Sequence, residues 1–165
     1  MQPEPVYRLF AEHGIAYELC EHPAVFTCEE AERLVPELGG TKTKNLFLRD
    51  RKGKRHFLVV VGYDKSVDLS ALAGLLGCGK LSLGSAQRLS DRLGVIPGSV
   101  TILALVNDLE HQVELVLDQV IAAADSLCCH PLVNTATVTL RREDLAKFLK
   151  VTGHQARVVE VPARV

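Results

Sequence analysis

The sequence predicts an α/β fold with a mixed, largely antiparallel sheet. Three observations predict it: strand-like alternation dominates the middle of the chain, amphipathic helical segments punctuate it, and the strand-like segments pair at hairpin spacing. At 165 residues the length fits one domain, 1–165. Apolar residues make up 47% and charged residues 24%, as in an ordinary soluble protein.

Val6, Leu9 and Phe10 share a helical face, and Gly14 is a natural stop. Ile15 to Leu19 alternates like a strand. Thr27 to Glu30 has capping-box spacing and opens a helix expected to end near Gly39-Gly40. Asn45 to Arg49 and His56 to Val61 read as a hairpin around a charged turn, Asp50 to Gly53. Asp68 and Ser85 are N-caps of two short helices, stopped at Gly77 and Gly94. Val95-Ile-Pro-Gly98 is a turn. Val100 to Val106 and Gln112 to Leu117 read as a second hairpin over Asn107-Asp108. Thr135 to Leu140 is a strand, Arg141 to Thr152 an amphipathic helix ended by Gly153, and Gln155 to Val161 a closing strand.

Several function classes are excluded. No apolar run reaches the roughly 18 to 20 residues of a membrane span, and Met1 to Pro5 lacks the start of a signal peptide. The five cysteines form no Cys-x-x-Cys and read as small buried hydrophobes of a reducing, cytoplasmic environment. The six histidines are too scattered for a metal site, and no dinucleotide or triphosphate loop is present. Neither metal nor cofactor is expected.

The net charge of −1 hides an uneven distribution. Residues 1–40 hold two basic side chains against eight glutamates, whereas 41–55 hold Lys42, Lys44, Arg49, Arg51, Lys52, Lys54 and Arg55 against Asp50 alone. A compact positive patch on an acidic protein points to a local anion, or to a solvated hairpin.

Three stretches could carry chemistry. Gly39-Gly-Thr-Lys-Thr-Lys-Asn45 allows close backbone approach and sets Lys42 and Lys44 on one side of an extended segment. Gly98-Ser-Val-Thr101 follows a proline turn whose amides suit an oxyanion, or is a plain strand entry. His130-Pro-Leu-Val-Asn-Thr135 places an imidazole four residues before an amide, without a neighbouring acid to make a hydrolase triad.

These stretches, as Thr43 to Asp50, Gly94 to Thr101 and His130 to Thr137, together with His22-Pro-Ala-Val-Phe-Thr27, resemble the YbaK/ProX family. Its members are free-standing relatives of the editing domain of bacterial prolyl-tRNA synthetases. The blocks run in the family's order from about His22 to Val159, and the chain looks most similar to the Ala-tRNA(Pro) deacylase branch. The resemblance implies a strongly curved sheet with flanking helices, and hydrolysis of an amino acid wrongly attached to tRNA(Pro). Its partners would be the acceptor end of that tRNA and prolyl-tRNA synthetase, with no membrane.

The family lysine falls on Lys44, and its histidine segment on His130 to Thr135. Its Gly-x-x-x-Pro loop falls on Gly98 to Ile102, where Ile102 replaces the proline. On this reading Lys44 holds phosphate or nearby oxygens of the terminal adenosine, and the Gly98 and Ser99 amides meet the ester carbonyl. Asn45 and His130 orient substrate or water. Val60, Thr101, Ile102, Leu103, Asn134 and Thr135 bind the substrate, Val60 and Leu103 walling a small apolar cavity behind Lys44 that the Gly98 to Ile102 loop borders. Lys42, Arg49, Arg51, Lys52, Lys54 and Arg55 meet tRNA phosphates. A Cys-tRNA(Pro) deacylase of the same fold, or a non-catalytic tRNA-binding module, remains open.

Overall fold

The computed structural model describes residues 2–24 and 39–165, so the capping box at Thr27 lies outside the described residues. Helix α1 (Glu4–His13) buries Val6 and Phe10 and ends at Gly14 in the left-handed conformation. Strand β1 (Glu18–Glu21) follows. Strands β2 (Thr43–Arg49) and β3 (His56–Gly62) form the expected hairpin, antiparallel with Thr43 opposite Gly62 and Arg49 opposite His56.

Helices α2 (Leu69–Leu76) and α3 (Ala86–Leu93) flank the short strand β4 (Ser82–Leu83). Their caps are the expected ones: Asp68 accepts from the Ala71 amide and Ser85 from the Arg88 amide. Such caps satisfy amides that the helix leaves without partners.

The second hairpin is not formed. Residues Ile102–Asn107 make a 3-10 helix capped by the Thr101 hydroxyl, which accepts from the Leu103 amide. Ile102, Leu103, Ala104 and Leu105 are all buried. An apolar run covered on every side has no alternation to separate helix from strand. Asp108 does not close a hairpin turn; its carboxylate accepts from the Gln112 and Val113 amides and aims the chain into β5 (Val113–Asp118). That strand lies parallel to β3.

Helix α4 (Gln119–Ala122), β6 (Ser126–Cys129), β7 (Ala136–Arg141), α5 (Arg142–Thr152) and β8 (Ala156–Val159) complete the chain. Among the described residues the strands form two sheets, β1-β7-β6 and β4-β2-β3-β5-β8. Pairing is antiparallel except for β3-β5 and β5-β8, so the sheet content is mixed and mostly antiparallel. A bridge between Thr41 and Leu127 joins the sheets. The larger apolar cluster, with Phe10, Phe47, Leu58, Val60, Leu103, Leu127 and Phe148, fills the space between them. A smaller one, with Leu48, Phe57, Val59, Val61 and Leu72, covers the other face of the five-stranded sheet.

Candidate active site

The segment entering β2 passes from one sheet to the other. Gly40 lies so close to β6 and β7 that a Cβ there would sit 2.9 Å from Cys128 Sγ and 3.0 Å from Thr139 Cγ2. The Thr41 amide donates to the Ser126 carbonyl (3.0 Å), and the Cys128 amide to the Thr41 carbonyl (2.9 Å). The Thr43 hydroxyl then donates to the Cys128 carbonyl at 2.9 Å. Lys44 and Asn45 therefore leave the junction beside the strand that runs into His130.

Adjacent strand residues point to opposite faces. Asn45 is paired with Val60 and Lys44 with Val61. Asn45 therefore faces the cluster that holds Val60, Ile102 and Leu103, while Lys44 shares its face with Val61 and the smaller cluster. The walls expected behind Lys44 belong to the Asn45 side of the sheet. Asn45 Oδ1 is buried there with no hydrogen-bond partner among the described residues. An acceptor so placed is costly unless a ligand or water donates to it. Lys42 and Lys44 do share a side: the Lys42 ammonium lies 5.8 Å from the Tyr63 ring centre, and the Lys44 ammonium donates to the Lys65 carbonyl.

His130 extends β6 into a loop whose Pro131 and Leu132 are buried. Leu132 has φ 69°, a conformation costly for a branched side chain and held by its surroundings. His130 Nδ1 lies 3.3 Å from the Ala136 carbonyl, which requires Nδ1–H as donor and leaves Nε2 an acceptor in the neutral ring. Burial pushes the His130 pKa below the usual value, and His22 adds to that push. His22 Nε2 is 2.8 Å from the Thr137 hydroxyl, and its amide donates to the Thr135 carbonyl. In the sequence, the only signal for His22 is its place in the His22-Pro block. Asn134 is half-buried and Thr135 exposed.

The proline turn forms: the Ser99 amide donates to the Ile96 carbonyl (3.0 Å), and Gly98 has φ 93°. Ser99 is buried and its amide is engaged within the turn, so the exposed Gly98 is the amide donor that the turn can offer. Thr101, Ile102 and Leu103 are buried.

The basic turn divides into anchored and free groups. Asp50 accepts from the Lys54 and Arg55 amides, and these backbone donors, Arg55 foremost, hold its carboxyl below the usual range. Arg55 makes a two-pronged bond to Glu114 at 2.8 and 2.9 Å and stacks on Phe57. The Arg49 guanidinium donates to the Asp50 and Arg51 carbonyls. Arg51, Lys52 and Lys54 are exposed. From α3, Arg88 donates to the Gly53 carbonyl (3.0 Å) and lies 3.1 Å from His56 Nε2. Burial, then the charges of Arg92 and Arg88, keep the pKa of His56 low. Sequence spacing gave no signal for these two arginines.

Among the described residues, no three metal-ligating side chains cluster. Of the described cysteines, all free thiols, only Cys129 is buried as expected, and burial pushes it up to about 12; Cys20, Cys78 and Cys128 are half-buried. A cavity of about 230 Å³ lies at the starts of β5 and β8, lined in part by His111, Glu114, His154 and Arg157. It contains none of the expected site residues.

Comparison with known proteins gives the class to which this fold belongs. Residues 22–148 match the family described as the aminoacyl-tRNA editing domain. The chain belongs to that family and is an aminoacyl-tRNA hydrolase by class. It is 40% identical over 150 residues to the "Prolyl-tRNA editing protein ProX" of Acetoanaerobium sticklandii, covering 91% of this chain and 92% of that one. It is 43% identical over 136 residues to the "Prolyl-tRNA synthetase associated domain-containing protein 1" of Danio rerio, covering 81% and 73%. A crystal structure described as a candidate trans-editing enzyme for prolyl tRNA synthetase superposes with a TM-score of 0.70 at 20% identity, covering 98% and 97%. At that identity the likeness concerns the fold.

Proposed function

We propose that the chain is a trans-editing deacylase that hydrolyses Ala-tRNA(Pro) at its 3′-terminal ester. The observation that carries this reading is the 40% identity, across nine-tenths of both chains, to a prolyl-tRNA editing protein. The substrate's amino acid rests on the sequence resemblance. We place the reaction in the cytoplasm because its substrate is a charged tRNA; no helix among the described residues is long and apolar enough to cross a membrane.

An aminoacyl ester is already activated, so positioning and oxyanion stabilisation do most of what hydrolysis needs. Water adds to the ester carbonyl carbon, the bond to the ribose 3′-oxygen breaks, that oxygen takes a proton, and the free amino acid leaves. Lys44 supplies a cation for the terminal phosphate or adjacent oxygens. The Gly98 amide meets the developing oxyanion. Asn45 Oδ1, without a partner among the described residues, and neutral His130 Nε2 are acceptors for substrate donors or the attacking water. Arg51, Lys52 and Lys54 meet the RNA backbone.

The purified protein is to be assayed on Ala-, Cys-, Ser- and Pro-tRNA(Pro), beside a folded Lys44→Ala variant. Rapid release of alanine, intact Pro-tRNA(Pro) and an inactive variant are expected. Cleavage of Cys-tRNA(Pro) in preference to Ala-tRNA(Pro) would reassign the substrate. Binding of tRNA without deacylation would reduce the chain to a binding module.

A further inference from the structure

The Lys44 ammonium is held by a small assembly of residues distant from it in the chain. The Lys44 ammonium donates to the main-chain carbonyl of Lys65, in the turn after β3. Lys65 turns its own ammonium the other way, to Asp118 Oδ2 at 2.6 Å and the Val161 carbonyl at 2.9 Å. Asp118 is 1% exposed, and its Oδ1 accepts from the Val161 amide at 3.0 Å. It sits at the N-cap position of α4 yet makes no capping bond, because its carboxylate faces Lys65 and Val161 instead.

The chain beyond Val161 clamps the same turn from outside. The Asp68 amide donates to the Pro162 carbonyl and the Arg164 amide to the Ser66 carbonyl, both at 2.8 Å, around an antiparallel bridge between Val67 and Ala163. The carbonyl that receives Lys44 is thus fixed by an ion pair whose carboxylate is buried and whose ammonium is half-buried, and by a main-chain strap. A buried ion pair is weak evidence for stability, because desolvation offsets its attraction; its better-attested use is to fix a geometry. An ammonium has three donors, so one bond to a fixed carbonyl leaves two for a substrate oxygen in a set direction.

We propose that Asp118, acting through Lys65, and the strap at residues 161–164 are positioning elements for the Lys44 ammonium. This rests on the proposed role of Lys44. Asp118→Asn keeps an acceptor for the Val161 amide and removes the charge that orients Lys65. Single-turnover deacylation of Ala-tRNA(Pro) at saturating enzyme is to be measured with the NMR signals of ¹⁵N-labelled lysine ammonium groups, Lys44 being assigned by its loss in Lys44→Ala.

The expected result for Asp118→Asn is a rate lowered about 10- to 100-fold, as misplacement of a reacting group by up to an ångström produces. Affinity for tRNA is expected to hold, and the Lys44 signal to move. Should Asp118→Asn fail to fold, Asp118→Asn with Lys65→Gln supplies an uncharged hydrogen-bonding pair, with the same two effects expected. Lys65→Arg, which retains the ion pair, is expected to recover part of the rate lost in that double variant. A wild-type rate and unmoved Lys44 signal in a folded Asp118 variant, with Lys44→Ala inactive, would overturn the positioning inference and leave the role of Lys44 standing. A wild-type rate in Lys44→Ala would overturn both.

Discussion

Gly40→Ala tests whether the two sheets are joined as tightly as the hydrogen bonds at Thr41 and Thr43 imply. The new methyl would lie 2.9 Å from Cys128 Sγ, 3.0 Å from Thr139 Cγ2 and 3.4 Å from the Leu127 carbonyl carbon. The first two are tighter than ordinary van der Waals contact by several tenths of an ångström, and they come from two different strands. Rotating the Cys128 side chain relieves one and leaves the Thr139 methyl. The remaining strain falls on main chain pinned by bonds of 3.0 and 2.9 Å. Overpacking a tight site costs about 1–3 kcal/mol, and each kcal/mol lowers the midpoint by roughly 2–4 °C for a chain of this length. Urea unfolding of Gly40→Ala, Cys128→Ala and the double variant forms a cycle in which Cys128→Ala recovers part of the loss. Deacylation by the folded Gly40→Ala protein is expected to fall as well, because Lys44 and Asn45 lie four and five residues along the displaced segment. A single variant as stable as wild type, or strictly additive effects, would refute the argument.

Replacing Arg51, Lys52 and Lys54 by Ala should lower the salt slope of tRNA binding by about 2–3, at about 0.7–0.9 per released phosphate contact; an unchanged slope would make the turn a solvated face. Arg55→Ala, whose guanidinium is engaged by Glu114, should change that slope less. His56 and His130 titrate below their unfolded value of 6.5. The unfolded chain therefore binds more protons as pH falls through 6.5 towards their folded values, and stability in urea should fall over that window. Stability unchanged between pH 7.5 and 5 would contradict their burial in the neutral form. Leu103→Ala should cost about 2–5 kcal/mol and admit larger aminoacyl esters before alanine turnover is lost, as read on the four-ester panel.

What was legible in the sequence was local. Asp68 and Ser85 announce their helices because a cap acts on an amide three residues away. The β2–β3 hairpin is legible because its turn and both strands are contiguous. The parallel alignment of β5 with β3 joins segments distant in the chain, so the apolar pattern of Val100 to Leu117 does not announce it, although the Asp108 carboxylate within that stretch aims the chain into β5. The site divides in the same way. Lys44, Asn45 and His130 stand in recognisable blocks, whereas Arg88 against Gly53, His22 against Thr137 and Lys65 against Asp118 meet only after folding. The period of two along β2 already sends Lys44 and Asn45 to opposite faces, so a cavity bounded by Val60 belongs with Asn45.

That division of β2 bears on how such an enzyme could discriminate. Attraction in an apolar pocket distinguishes one methylene by only roughly 1–3 kcal/mol, so sparing a prolyl ester requires a wall that refuses to move. On the proposed reading the wall is Val60, Ile102 and Leu103, each no more than 1% exposed and part of the larger cluster between the sheets. The residues that reject the larger substrate are then also residues that hold the fold together. Stiffness needed for selectivity comes from core packing, and widening the filter necessarily destabilises the chain. The cation on the opposite face is free of that coupling, because Lys44 is held by a turn and a carbonyl and not by the core. Charge placement and size selection could therefore vary independently, although the two residues are adjacent in the chain.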